Sequence, residues 1–117
     1  MRRQAQHQIT WHPAGQRYRI SITMKWGMAW PAIPFESQEW HAWLASISSF
    51  HFQGQHGHFT ARKETRTRGG MYWIAYRHLG GQFVKKYIGP QGRVTMARLE
   101  EVADELEQRG RSIDSSV

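Results

Sequence analysis

The glycine pair Gly80-Gly81 constrains this chain more than any other feature, because the runs on either side of it, 71–78 and 82–88, alternate in chemistry residue by residue. A two-residue hairpin turn whose twist matches its strands needs positive φ at both central positions, which glycine adopts without steric cost. Leu79 opposite Gln82 then fixes the register outward, since successive side chains of a strand point to opposite faces. One face collects Trp73, Ala75, Val84 and Ile88, with Arg77 and Lys86 towards its rim. The other collects Tyr72, Ile74, Tyr76, His78, Phe83, Lys85 and Tyr87. The first is the expected core side, and the small Ala75 would let a helix come close. A lone hairpin is at best marginal in water, so that apolar face calls for more strands and a covering helix.

The rest of the chain supplies both. Residues 59–66 read as a preceding strand and 67–70 as a turn, and a helix is expected from Thr95 with Met96, Leu99, Val102, Ala103 and Leu106 on one stripe and Gly110 as its stop. Upstream, 9–11 and 18–26 alternate around a turn at 12–16, while 28–35, broken by Pro31 and Pro34, reads as a short edge strand. Ser37 is placed to cap a helix over 38–48, whose Trp40, Trp43, Leu44 and Ile47 share one face, and a short strand then runs from 49 into the glycine-containing loop at 53–58. Both parts thus read as strands followed by a helix. The expectation is an α+β fold, antiparallel sheet with two helices, as two ββ(β)α halves (9–58 and 59–110) packed as one body between a flexible basic start (1–8) and a flexible tail (111–117).

Charge narrows the function. Sixteen Lys and Arg against nine Asp and Glu give a net charge of +7. Residues 60–93 hold eight bases (Arg62, Lys63, Arg66, Arg68, Arg77, Lys85, Lys86, Arg93) and one acid, Glu64, whereas 100–107 holds five acids and no base. One surface is therefore expected to meet a polyanion and another to turn away from it. With no cysteine, disulfides, thiolate metal sites and cysteine nucleophiles are excluded, and a reducing, cytoplasmic setting is expected. No apolar run follows the basic start as in a secretory signal, and none approaches the roughly 20 residues of a membrane span.

No carboxylate pair, phosphate loop or nucleophile with an evident base stands out, so no enzyme and no cofactor is expected; Tyr72, Tyr76 and Tyr87 read as binding or core residues rather than nucleophiles. His51, His56 and His58 raise the question of a metal, but they lack paired-ligand spacing and read as a solvated loop. The Trp40, Trp43, Leu44, Ile47 stripe fits a core better than a docking surface, and the acids of the last helix fit a solvated face.

The run Gly70-Met71-Tyr72-Trp73-Ile74-Ala75-Tyr76-Arg77, then Gly80-Gly81, then Lys85-Lys86-Tyr87-Ile88-Gly89, then a helix, resembles AP2-like domains, including the arm-binding domains of tyrosine recombinases. The resemblance covers residues 59–109 and implies a three-stranded sheet, backed by one helix, that enters the DNA major groove. The same stretch is similar to front segments of bacterial LuxR-type and ATPase regulators, which imply no particular activity. The recombinase resemblance implies DNA contacts by Arg62, Lys63, Arg66, Arg77, Lys85 and Lys86. Charge and aromatic content add Arg68, Tyr72, Tyr76 and Tyr87 to the expected nucleic-acid-binding set, because cations neutralise phosphates and tyrosines stack or hydrogen-bond. In 117 residues nothing supplies a recombinase's catalytic domain. The expected role is a non-catalytic, duplex-DNA-binding accessory or regulatory factor of a bacterial mobile element or transcription system. The alternatives are an RNA-binding subunit of a ribonucleoprotein and an adaptor docking a larger protein assembly through its Trp-rich first half.

Overall fold

The computed structural model describes residues 6–65 and 69–115, with side chains described up to Arg111. Seven strands, β1 (Gln6–His12), β2 (Arg17–Met24), β3 (Gly27–Ala29), β4 (Ser49–Gln53), β5 (His58–Thr65), β6 (Met71–Leu79) and β7 (Gln82–Pro90), form one continuous sheet in the order β3-β2-β1-β4-β5-β6-β7. Helix α1 (Gln38–Ser46) follows β3; a 3₁₀ turn (Gln91–Arg93) and helix α2 (Met96–Ser115) follow β7. Every pairing is antiparallel except β1 with β4. Apart from β4 itself, which it reverses, a half-turn about an axis through β4 normal to the sheet preserves order and direction, carrying β1 to β5, β2 to β6 and β3 to β7. His51 sits on that axis, pairing with Gln8 on one side and Thr60 on the other.

The fold is the expected α+β arrangement, with the two βββα units fused through β4. Leu79 pairs with Gln82, and Gly80 and Gly81 take φ of 55° and 82°, so the turn and the register that follows from it are as read from the sequence. One irregularity intervenes. A bulge sets Trp73 opposite Gly89 while Ile74 stays opposite Tyr87, which turns the extra residue, Ile88, into the core. Gly89, at φ 141°, takes a conformation closed to other residues. Arg98 of α2 holds the bulged strand by donating from Nε to the Ile88 carbonyl (3.0 Å) and from Nη2 to that of Tyr87 (2.8 Å).

Both helices cover the same face. The core beneath them runs from Ile9 and Ile20 through Phe50, Phe52, Phe59 and Ala61 to Trp73, Ala75 and Val84. Trp40, Trp43, Leu44 and Ile47 are buried in it, the two indoles stacked 5.4 Å apart. Ser37 caps α1, its Oγ accepting from the Trp40 amide at 3.2 Å. Trp40 Nε1 donates to the Val94 carbonyl (2.9 Å), which fastens the first unit to the start of α2. Glu100 fastens α2 in return. Its carboxylate accepts from the Gln55 amide (2.8 Å) and from the Tyr18 hydroxyl.

Helix α2 continues through Gly110 to Ser115, beyond the stop read from the sequence. Glycine serves packing there: a Cβ on Gly110 would lie 2.9 Å from Leu79 Cδ2. No helix among the described residues is long and apolar enough to cross a membrane.

Candidate nucleic-acid interface

With both helices on one side, the opposite face of the sheet carries no covering element among the described residues. The pairing register places on it Thr60, Arg62 and Glu64 of β5, Tyr72, Ile74, Tyr76 and His78 of β6, and Phe83, Lys85 and Tyr87 of β7. The arrangement centres on Tyr76. The Arg62 guanidinium carbon lies 5.7 Å and Lys85 Nζ 6.0 Å from its ring centre, near enough for each cation to feel the ring's negative face. Phe83 meets the Tyr76 ring edge-on at 5.9 Å and His78 at 4.2 Å, while Tyr72 and Tyr87 lie 5.7 Å apart. Phe83 is 61% and Tyr87 41% exposed, so aromatic surface on this face is open to solvent.

Glu64 is the one acid that the register places on this face. Tyr76 donates its hydroxyl to one carboxylate oxygen and Tyr72 to the other (3.3 Å). That hydrogen bond to Glu64 is the main reason the Tyr76 hydroxyl pKa lies above the ordinary tyrosine value. Among the described residues, neither Arg62 nor Lys85 has a carboxylate within ion-pair distance.

The ten residues expected to bind nucleic acid therefore divide. Arg62, Tyr72, Tyr76, Lys85 and Tyr87 come together on the open face. Arg77, Lys86 and Lys63 stand on the helix side of the same strands. Arg77 pairs with Glu107 (3.0 Å) and Lys86 with Glu105 (2.6 Å), so acids of α2 neutralise the bases beneath it. Lys63 donates from Nζ to the carbonyls of Leu44 (2.8 Å) and Ala45 (3.1 Å), closing the last turn of α1 with a cation where the helix dipole is negative. It also lies 5.3 Å from the Trp73 ring centre, and burial lowers its pKa. Arg66 and Arg68 lie outside the described residues.

The fusion through β4 adds residues that the sequence did not single out. Arg19 pairs with Thr10 and Arg17 with His12, which puts both arginines on the open face three strands away from Arg62. The alternation of β2 was visible in the sequence, but nothing there joined it to the second half. Within the second group, over β4 to β7, lies a cleft of about 190 Å³ lined by His51, His58, Thr60, Arg62, Tyr76 and His78 among others. Burial lowers the pKa of His51 and of His58, with the charge of His58 adding to the effect on His51 and that of Arg77 to the effect on His58. Among the described residues, no group of three or more His, Asp or Glu is arranged to hold a metal ion. No protein-family model, curated protein or solved structure matches this chain.

Proposed function

We propose that this protein is a small, non-catalytic binder of double-stranded DNA that meets the duplex with the open face of its sheet. The observation that carries the reading is the segregation of charge through the thickness of the sheet. The open face holds Arg17, Arg19, Arg62 and Lys85 against Glu64 alone, while the acids of α2 lie on the other side and neutralise Arg77, Lys86 and Arg98 there. A polyanion approaching the open face meets cations first.

Spacing supports a duplex in particular. By the pairing register Arg19 stands level with His58, three strand separations (about 14 Å) across the sheet and four residues (about 13 Å) along it from Arg62, so the two cations are roughly 20 Å apart, enough to reach phosphates on both sides of a major groove roughly 12 Å wide. Strands β6 and β7 would then turn Tyr76 and Phe83 towards the duplex while Arg17, Arg19, Arg62 and Lys85 reach phosphates. This is also the mode of binding implied by the resemblance to AP2-like domains. An accessory or regulatory protein of a bacterial mobile element or transcription system, working in the cytoplasm, is the role that fits it.

A salt titration on duplex DNA tests the reading. If all four open-face cations contact phosphates, the plot of log K against log salt should have a slope of about −3.6. No binding at low ionic strength would overturn it. Equal or tighter binding to structured RNA in direct competition would move the assignment to a ribonucleoprotein.

A further inference from the structure

The edge of the sheet opposite β7 has an incomplete strand. β3 pairs only with Ile22, Thr23 and Met24 of β2, leaving the β2 edge over 17–21 without a strand beside it. The chain instead passes this edge as the extended segment 30–35. Pro31 and Pro34 have no N–H to donate to a ladder. Ile33 and Phe35 pack against the core. Between the segment and the strand lies a cleft of about 260 Å³, with Arg17, Arg19 and Ile20 on one wall and Trp30, Pro31 and Ile33 on the other.

Its two walls differ in chemistry. Trp30 is 56% exposed and offers a large aromatic surface with nothing packed over much of it. The other wall carries Arg17 and Arg19, and among the described residues neither has a carboxylate within ion-pair distance. Residues 1–35 contain no Asp or Glu; the carboxylates nearest in the chain and in hydrogen bonding are Glu36, which follows Phe35, and Glu100, which accepts from the Tyr18 hydroxyl. A flat aromatic surface on one wall of a cleft and two arginines on the other suit a planar ring joined to an anion. An unpaired nucleotide has both parts: its base can stack on an exposed aromatic and its phosphate can accept from arginine.

We propose that the cleft between β2 and the 30–35 segment holds an unpaired nucleotide of the nucleic acid bound by the open face, with its base on Trp30 and its phosphate on Arg17 and Arg19. The proposal rests on the nucleic-acid reading above, and extends it. Arg17 and Arg19 belong both to the open face and to the cleft wall, so a strand leaving the duplex at this edge passes from one to the other. The protein would then prefer a duplex with a single-stranded extension to a blunt one.

Affinity should be measured on the full chain with a blunt duplex and with the same duplex carrying an oligothymidine overhang. One stacked base is worth enough to tighten binding about tenfold. The expected result is that the overhang gives this gain, that Trp30→Ala removes it while leaving blunt-duplex affinity unchanged, and that Trp26→Ala, an exposed indole outside the cleft, preserves it. An overhang without advantage in the unaltered protein, beside normal blunt-duplex binding, would overturn the cleft assignment and leave the open-face reading standing. So would an advantage that survives both Trp30→Ala and Arg19→Ala. If neither duplex binds at low salt, both readings fall together.

Discussion

The β1–β3 and β5–β7 meanders occupy equivalent places about β4, yet they present opposite characters to solvent. Beside His51 the equivalent open-face positions are Gln8 and Thr60, and one strand further out, Ser21 and Tyr76; on the edge strands they are Met28 and Phe83. Beneath them, Ile9 and Ile20 in the first unit face Ala61 and Ala75 in the second. The alanines let the 20-residue α2 lie close over β5 and β6, and the first unit has only the nine-residue α1. The same strand plan thus supports a face rich in aromatic rings where a long acidic helix backs it, and one of small polar side chains and arginines with a cleft at its edge where the helix is short. The layout fixes where a face is, and the side chains on it decide what it can bind.

Removing the aromatic core tests how far the two units depend on one another. Trp73 is fully buried, packs 5.2 Å from Phe50 of β4 and lies under the Lys63 ammonium that caps α1. Trp73→Ala should cost about 3–5 kcal/mol and lower the denaturant midpoint in one transition reported alike by tryptophan fluorescence and far-UV circular dichroism. Separate transitions would mean that the units fold independently. A smaller loss is expected from Gly57→Ala, because a Cβ there would stand 2.7 Å from the Ala103 carbonyl oxygen and push α2 off the central loop. About 1–3 kcal/mol should be lost in chemical denaturation.

The link between Tyr18 of the first unit and Glu100 of the second should appear at alkaline pH. Burial, then the hydrogen bond to Glu100, pushes the Tyr18 hydroxyl up to about 12. A pKa raised in the folded state contributes stability that is fully present below the unfolded value near 10 and is lost as pH rises from about 10 to 12. Tyr18→Phe should flatten that decline in stability measured against pH. At the mild end, Glu64→Gln removes the acid from the open face and should tighten duplex binding a few-fold, read by the same salt titration.

Much of the second unit was legible in the sequence because a two-residue Gly-Gly turn admits one register, and one register assigns every side chain of β6 and β7 to a face. Alternation also implied what the composition obscured: neighbours such as Arg62 and Lys63, Tyr76 and Arg77, or Lys85 and Lys86 cannot all share one surface. The parallel joining of β1 to β4 was not legible, since the partners lie some forty residues apart and alternation reports a strand's faces without naming its neighbour. Nor could the sequence show that Lys63 reaches the end of α1, or that Gly110, a residue type that commonly ends helices, is instead required by contact with Leu79.

Lys85 and Lys86 are adjacent in sequence, alike in chemistry and opposite in placement, one beside the Tyr76 ring and the other paired with Glu105. Comparing Lys85→Ala with Lys86→Ala therefore tests the central claim most directly, with duplex affinity followed across salt concentrations. The expected result is that Lys85→Ala weakens binding and reduces the magnitude of the salt slope by about 0.9, while Lys86→Ala leaves the slope unchanged and costs at most about 1 kcal/mol of stability. Equal losses of affinity and slope in the two variants, or a loss confined to Lys86→Ala, would contradict the assignment of DNA binding to the open face.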